Sequence, residues 1–175
     1  MARIAYPTPD QQSEQAQHFL GKLPALNIFR MLSYCGHVLE PFVRLGSAFL
    51  SKGTLDPVLR ESAILRVGHL CRAPYEVHQH ERIARGLGMS ESLLAMIEHG
   101  PSAAQLTPLQ RDVLRYVDDV VENVRSSEPV FTALREQLGV VGLQELTLLI
   151  GYYLMVCRFL ENFGVDIESD SDRSA

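Results

Sequence analysis

The sequence predicts an all-α protein. Apolar residues recur at spacings of three and four along most of the chain, Pro and Gly fall mostly between the periodic stretches, and no segment alternates strongly enough for a strand. With 175 residues, 46% hydrophobic and 21% charged, the chain fits one compact helical domain, expected over residues 1–165.

The elements follow in order. From Asp10 to Gly21 the sequence is polar and compatible with a helix, which Leu23-Pro24-Ala25 then interrupts. A more apolar segment runs from about Asn27 to Leu50, either one helix or two divided near Gly36 or Pro41. Asp56-Pro57 opens the next helix, because Asp can accept a bond from an early backbone amide and Pro at the first helical position gives up only an unneeded donor. This helix is expected to reach about Cys71. Pro74 disfavours its continuation and is compatible with a new helix carrying Tyr75, Glu76, His80 and Ile83 before Gly86 and Gly88. Ser90, with Glu91 in the first turn, marks another start. Thr107-Pro108-Leu109-Gln110 supplies a cap, a first-turn Pro and a capping-box Gln for a helix through Tyr116, Val120 and Val124. Beyond Ser126-Ser127-Glu128-Pro129 a short helix should end near Gly139, and a long apolar one should run from about Leu143 to Phe163. Residues 166–175 are acidic and poor in apolar side chains, which predicts a mobile tail.

Composition excludes several classes. Sixteen Lys and Arg against twenty-one Asp and Glu give a charge of -5, the wrong sign for gripping nucleic acid by replacing phosphate counterions. The apolar stretch Leu146–Cys157 is shorter than the roughly 20 residues that cross a bilayer, so it reads as a buried helix and no membrane partner is expected. The N-terminal residues lack a continuous apolar signal segment, which places the expected compartment in the cytoplasm. Cys35, Cys71 and Cys157 are widely spaced with no Cys-x-x-Cys pair, against a disulfide framework or a four-cysteine zinc site.

Titratable groups concentrate between Glu61 and His80. In a helix starting near Pro74, Glu76 and His80 are four residues apart and share a face. A carboxylate beside an imidazole favours its protonated form, and histidine's unperturbed pKa of about 6.5 makes both forms accessible for proton transfer. The same Glu-x-x-x-His spacing also describes an exposed helical salt bridge. Glu61 arrives from the preceding helix as a second carboxylate; buried, it would need a partner such as His80 or Arg66, and exposed it is a solvated first-turn acid. Arg66 is a candidate for binding a substrate carboxylate, or for pairing with Glu61 or a neighbouring subunit. Tyr75 is a candidate donor to substrate or an aromatic packing residue. His78 points away from Glu76 toward a surface or interface, and His69 reads as a helix-end residue. Glu61–Gly68 and Glu145–Tyr152 also form a weak internal echo, from either duplication or convergent core patterning.

The run Leu55-Asp56-Pro57, Arg60-Glu61, Ala63-Ile64-Leu65-Arg66-Val67, then Tyr75-Glu76, His80, Ala84 and Gly88-Met89-Ser90 resembles the carboxymuconolactone decarboxylase family, related to alkylhydroperoxidase D-like proteins. The resemblance covers a core of about 40 residues and implies a helical domain assembling into homo-oligomers, often trimers or hexamers. In its hydroperoxidase branch the two thiols would fall at Ala73 and Glu76, so both are missing here, and a disulfide-forming cycle needs both. Cys71 lies two residues before the first thiol position and is the one candidate for a lone redox residue. The decarboxylase branch, which also places Glu four residues before the family histidine, implies loss of carbon dioxide from a small carboxylated or carbonyl-containing substrate. In that reading His80 protonates carbon, Glu61 and Glu76 assist, and neither a metal nor a cofactor takes part. Thiol-dependent peroxide reduction through Cys71 and a non-catalytic helical assembly protein are the alternatives.

Overall fold

The computed structural model describes residues 1–168, and among these the regular elements are all helical. They are α1 (Glu14–Leu20), α2 (Asn27–Leu32), α3 (Gly36–Lys52), α4 (Pro57–Leu70), α5 (Pro74–Gly86), α6 (Glu91–His99), α7 (Pro108–Asn123) and α8 (Glu128–Phe163), with 3-10 turns at Pro9–Gln11 and Ser33–Cys35. Caps explain the boundaries. Asp56 accepts from the Val58 and Leu59 amides at 2.9 and 3.1 Å, and Thr107 with Gln110 forms a reciprocal capping box at 2.9 and 3.2 Å. The apolar segment after Pro24 divides at Gly36, while Pro41 is accommodated inside α3. Within α8, Gly139 is non-helical at φ 68°, ψ 177°, so 128–138 and 140–163 are separate helical stretches. The second begins before the expected Leu143.

The described chain divides into two compact units. The first comprises Met1–Lys52 and the residues from Phe159 onward. In it, Arg3 donates its amide to the Phe163 carbonyl at 2.9 Å, and the Asn27 amide donates to the Glu168 carboxylate at 2.6 Å. Asp166 accepts the Ala2 amide at 2.9 Å. These pairings join chain segments 139 residues or more apart, which helical periodicity cannot register. They also fix Asp166 and Glu168, the start of the expected mobile tail; residues 169–175 lie outside the described residues.

The second unit, Gly53–Arg158, is organised around α4, which packs against α5, α6 and α7. Every residue from Leu59 to Gly68 is buried, so α4 is enclosed on all sides rather than amphipathic. Leu65 packs in a core with Ala84, Met89, Leu94, Ile97 and Leu114. Such a helix must pair any charge it carries. Arg66 does so fully: Nε and Nη2 donate to the two Asp118 oxygens at 2.6 and 2.8 Å, and Nη1 donates to the Glu98 carbonyl at 2.8 Å. Gly100, at φ 95°, leaves room for this guanidinium, since a β-carbon there would lie 2.6 Å from Arg66 Nη2. Glu145, the echo of Glu61, accepts from the Thr54 amide and hydroxyl at 2.7 and 2.8 Å and so holds the approach to α4.

The turn between α4 and α5 closes with two bonds, Ala73 amide to Gly68 carbonyl and Arg72 amide to His69 carbonyl, both 3.0 Å, the pattern of a Schellman motif. Its left-handed position is Arg72, at φ 53°, where glycine is the usual residue. A β-carbon in that conformation costs about 1–2 kcal/mol, more than the roughly 0.4–1 kcal/mol glycine loses through a freer unfolded chain. Arg72→Gly is therefore expected to stabilise the protein by about 0.5–1 kcal/mol, read as a higher urea midpoint; a lower midpoint would contradict the strain.

Candidate active site

Three local features bring α5 onto α4. The Schellman turn reverses the chain, Pro74 starts α5 immediately, and Gly68 lets the first turn of α5 approach closely. A β-carbon at Gly68 would meet Val77 Cγ2 at 3.0 Å and Glu76 Cγ at 3.8 Å. Glu76 consequently sits in the first turn of α5 against α4, where the positive end of the helix favours an anion. His80 lies one turn further on.

The structure brings Glu61, Glu76 and His80 into one cluster. His80 Nδ1 lies 2.6 Å from Glu61 Oε2 in a buried hydrogen bond, and its Nε2 lies 3.0 Å from Glu76 Oε1. The second contact is short but off axis, so Glu76 Oε1 accepts no aligned hydrogen bond among the described residues. On the far side of Glu61, Arg60 Nε donates to Oε1 at 3.1 Å. Exposure is 0% for Glu61, 4% for Glu76 and 6% for His80, which removes the reading of an exposed helical salt bridge. The Tyr153 ring stands edge-on to the imidazole, centroids 5.0 Å apart, and Tyr152 meets Tyr153 in the same way at 5.2 Å.

Charge balance sets the protonation state. With His80 protonated, Arg60 and His80 offset Glu61 and Glu76; with His80 neutral, the buried cluster carries one unpaired negative charge. Burial by itself lowers the imidazole's pKa, but the Glu76 charge and the hydrogen bond to Glu61 outweigh it and push His80 up to about 9. Burial, reinforced by the charges of Glu76 and Glu61, holds the Tyr153 phenol well above its ordinary range, and burial with Glu76 does the same at Tyr152. The site therefore pairs an imidazolium with two neutral phenols.

The remaining candidates lie elsewhere or play other parts. Arg66 does not join the cluster: three of its nitrogens already serve Asp118 and the end of α6. Tyr75 is buried in the first turn of α5, at 2% exposure. Cys71 is the partly exposed C-cap residue of α4. His69 is half-buried in the last turn of α4, where burial lowers its pKa. His78, expected at the surface or an interface, is partly buried, and its Nε2 has no hydrogen-bond partner among the described residues. No group of three or more His, Cys, Asp or Glu among the described residues has a metal-holding arrangement.

Sequence reasoning missed Arg60, Tyr152 and Tyr153. Arg60 directly precedes Glu61 in a stretch apolar enough to be buried all round, which was a signal that the two charges pair. Tyr152 and Tyr153 interrupt the apolar run Leu146–Cys157, where a phenol needs a polar neighbour.

The raised pKa links to stability. An unfolded His80 titrates near an ordinary histidine's 6.5, whereas the folded one holds its proton to about 9. Its stabilisation is thus complete below about pH 6.5 and is lost as pH rises through about 9. Urea midpoints of the wild type should fall across that window, with a shallower fall in His80→Gln; parallel slopes in the two proteins would contradict a shared imidazolium.

Comparison with known proteins agrees with this core. The model of the carboxymuconolactone decarboxylase family matches residues 37–119. Among solved structures, the chain is similar to an alkylhydroperoxidase AhpD core, an uncharacterized peroxidase-related protein from Ralstonia eutropha JMP134, with TM-score 0.81 and 18% identity over 98% of this chain and 94% of that one. A peroxidase-related protein from Silicibacter sp. TM1040 gives TM-score 0.82 and 16% identity over 97% and 93%. A protein of unknown function from Agrobacterium tumefaciens, described in terms of AhpD antioxidant defence, gives 0.70 and 19% over 76% and 92%. No curated protein matches. The matched region carries both α4 and α5, so the cluster lies within the stretch that matches the carboxymuconolactone decarboxylase family, on the alkylhydroperoxidase D-like fold.

Proposed function

We propose that this protein catalyses cofactor-independent proton transfer, of the decarboxylase type, on a small carboxylated or carbonyl-containing molecule. The observation that carries this reading is the imidazole held between two buried carboxylates, 2.6 and 3.0 Å away, with Ala73 and Glu76 at the thiol positions. The bond from the substrate to its carboxylate breaks, carbon dioxide leaves, and the electron pair remains as an enolate. His80 then gives its proton to the enolate carbon and regains one from solvent. Glu61 fixes the ring through Nδ1. The proton on Nε2, held in no aligned bond, is the one available for transfer. Neutral Tyr153 and Tyr152 supply phenolic donors suited to a developing oxyanion.

Removing a positioned general acid costs about 10²–10⁴-fold in rate. A panel of small keto acids and carboxylated lactones, followed by carbon dioxide release and by ligand-induced thermal shift, should show turnover in the wild type. His80→Gln should lower turnover by about 10²–10⁴-fold, and Cys71→Ser should leave it unchanged. The names of the structural neighbours favour a second reading, thiol-dependent peroxide reduction. Peroxide consumption that Cys71→Ser abolishes and His80→Gln spares would establish that reading and overturn the first.

The proposal includes a soluble, cytoplasmic homo-oligomer. By length and composition alone α8 suffices to cross a membrane, but half of its most apolar stretch is buried in the protein. Val141, Leu148 and Met155, 65%, 63% and 47% exposed, repeat every seven residues along one face and suit a second copy of the chain. Sedimentation at micromolar concentration should give a trimer or hexamer; a monomer would count against assembly.

A further inference from the structure

α4 carries two buried arginines that differ in how they are satisfied. Arg66 uses Nε, Nη1 and Nη2 against Asp118 and the end of α6. Arg60, with a side chain only 10% exposed, uses Nε alone, in its bond to Glu61. Among the described residues its Nη1 and Nη2 donate to no protein acceptor, and neither nitrogen is fully buried, so the four N–H groups of this fork face solvent-accessible space. Arg66 shows that this same helix can pair both terminal nitrogens of an arginine whose role is structural, whereas the fork of Arg60 is left open.

The position of these donors gives the vacancy a use. Glu61 bridges Arg60 and His80, one carboxylate oxygen to each. Arg60 also bears on Tyr153: its charge opposes the other influences that raise the phenol, and Tyr153 stands edge-on to His80. We infer that the Nη1/Nη2 fork of Arg60 binds a carboxylate of the substrate, in the role for which sequence alone offered Arg66. This rests on the proton-transfer reading and adds the residue that positions the substrate.

Two arguments narrow the group bound. A guanidinium fork matches a planar two-oxygen anion, and the nearby Glu61 and Glu76 carboxylates disfavour two negative charges concentrated on one bound group, as in phosphate dianion. The bound carboxylate is also the one the product retains. Pairing the departing carboxylate with arginine would stabilise the ground state more than a transition state in which that charge moves away. The substrate is therefore an acid with a second, reacting group within reach of His80.

The test is calorimetric titration of the folded protein with malonate and succinate, their dimethyl esters, and inorganic phosphate. The wild type should bind a dicarboxylate and neither the diesters nor phosphate. Arg60→Gln should weaken binding about ten- to hundredfold, Arg60→Lys should restore part of it, and Arg85→Gln, from an exposed ion pair, should leave it unchanged. If Arg60→Gln fails to fold, the ester comparison and Arg60→Lys decide. Equal binding by wild type and the Arg60 variants, equal binding of diester and diacid, or no dicarboxylate binding at all would overturn the assignment. The pH dependence of stability separates the two levels. With the His80 slope present, failed carboxylate binding removes only Arg60's role; with that slope absent, the proton-transfer reading itself fails.

Discussion

A carboxylate with no exposure to water organises this protein. Glu61 sits in the middle of a helix enclosed on every side, and an ion taken wholly out of solvent persists only where other groups replace its hydration. Arg60 supplies one partner from the same helix, and His80 supplies the other from the next. The second partnership requires α5 to return along α4 at close range. A glycine at position 68 and a turn that tolerates a left-handed arginine make that return possible.

Once the imidazole lies against Glu61, Glu76 on its other side decides its chemistry. One carboxylate would be balanced by Arg60 alone; two call for a second cation, and His80 provides it by keeping its proton. Family members with Cys-x-x-Cys would place sulfur at the positions of Ala73 and Glu76, so this chain has a methyl group and a charge where those would have a redox couple. In the function proposed above, the same fold frames an acid in place of a thiol pair. Likeness to peroxidase-related structures at 16–19% identity establishes the frame, and the chemistry has to be read from the residues within it.

Most helix boundaries were legible because they are set locally. Asp56-Pro57, Pro74 and the Thr107–Gln110 box act on backbone amides within a few residues, and the helices start where those signals stand. Glu76 and His80 were legible as a pair for the same reason, since four residues of helix put them on one face. Partners across helices were not. Arg60 and Arg66 both lie within reach of Glu61 along the sequence, and only the packing of α6 and α7 shows Asp118 capturing Arg66. The tyrosines of α8 and the pairing of the N-terminal residues with Asp166 and Glu168 were hidden likewise, because they depend on contacts between distant segments.

The protonation state of one ring is the hinge of this account, and nitrogen NMR of the His80 imidazole reads it directly. A ring doubly protonated at pH 7.5, losing its proton only near pH 9, would match the charge balance described above. A neutral ring at pH 7.5, titrating near an ordinary histidine's 6.5, would contradict it.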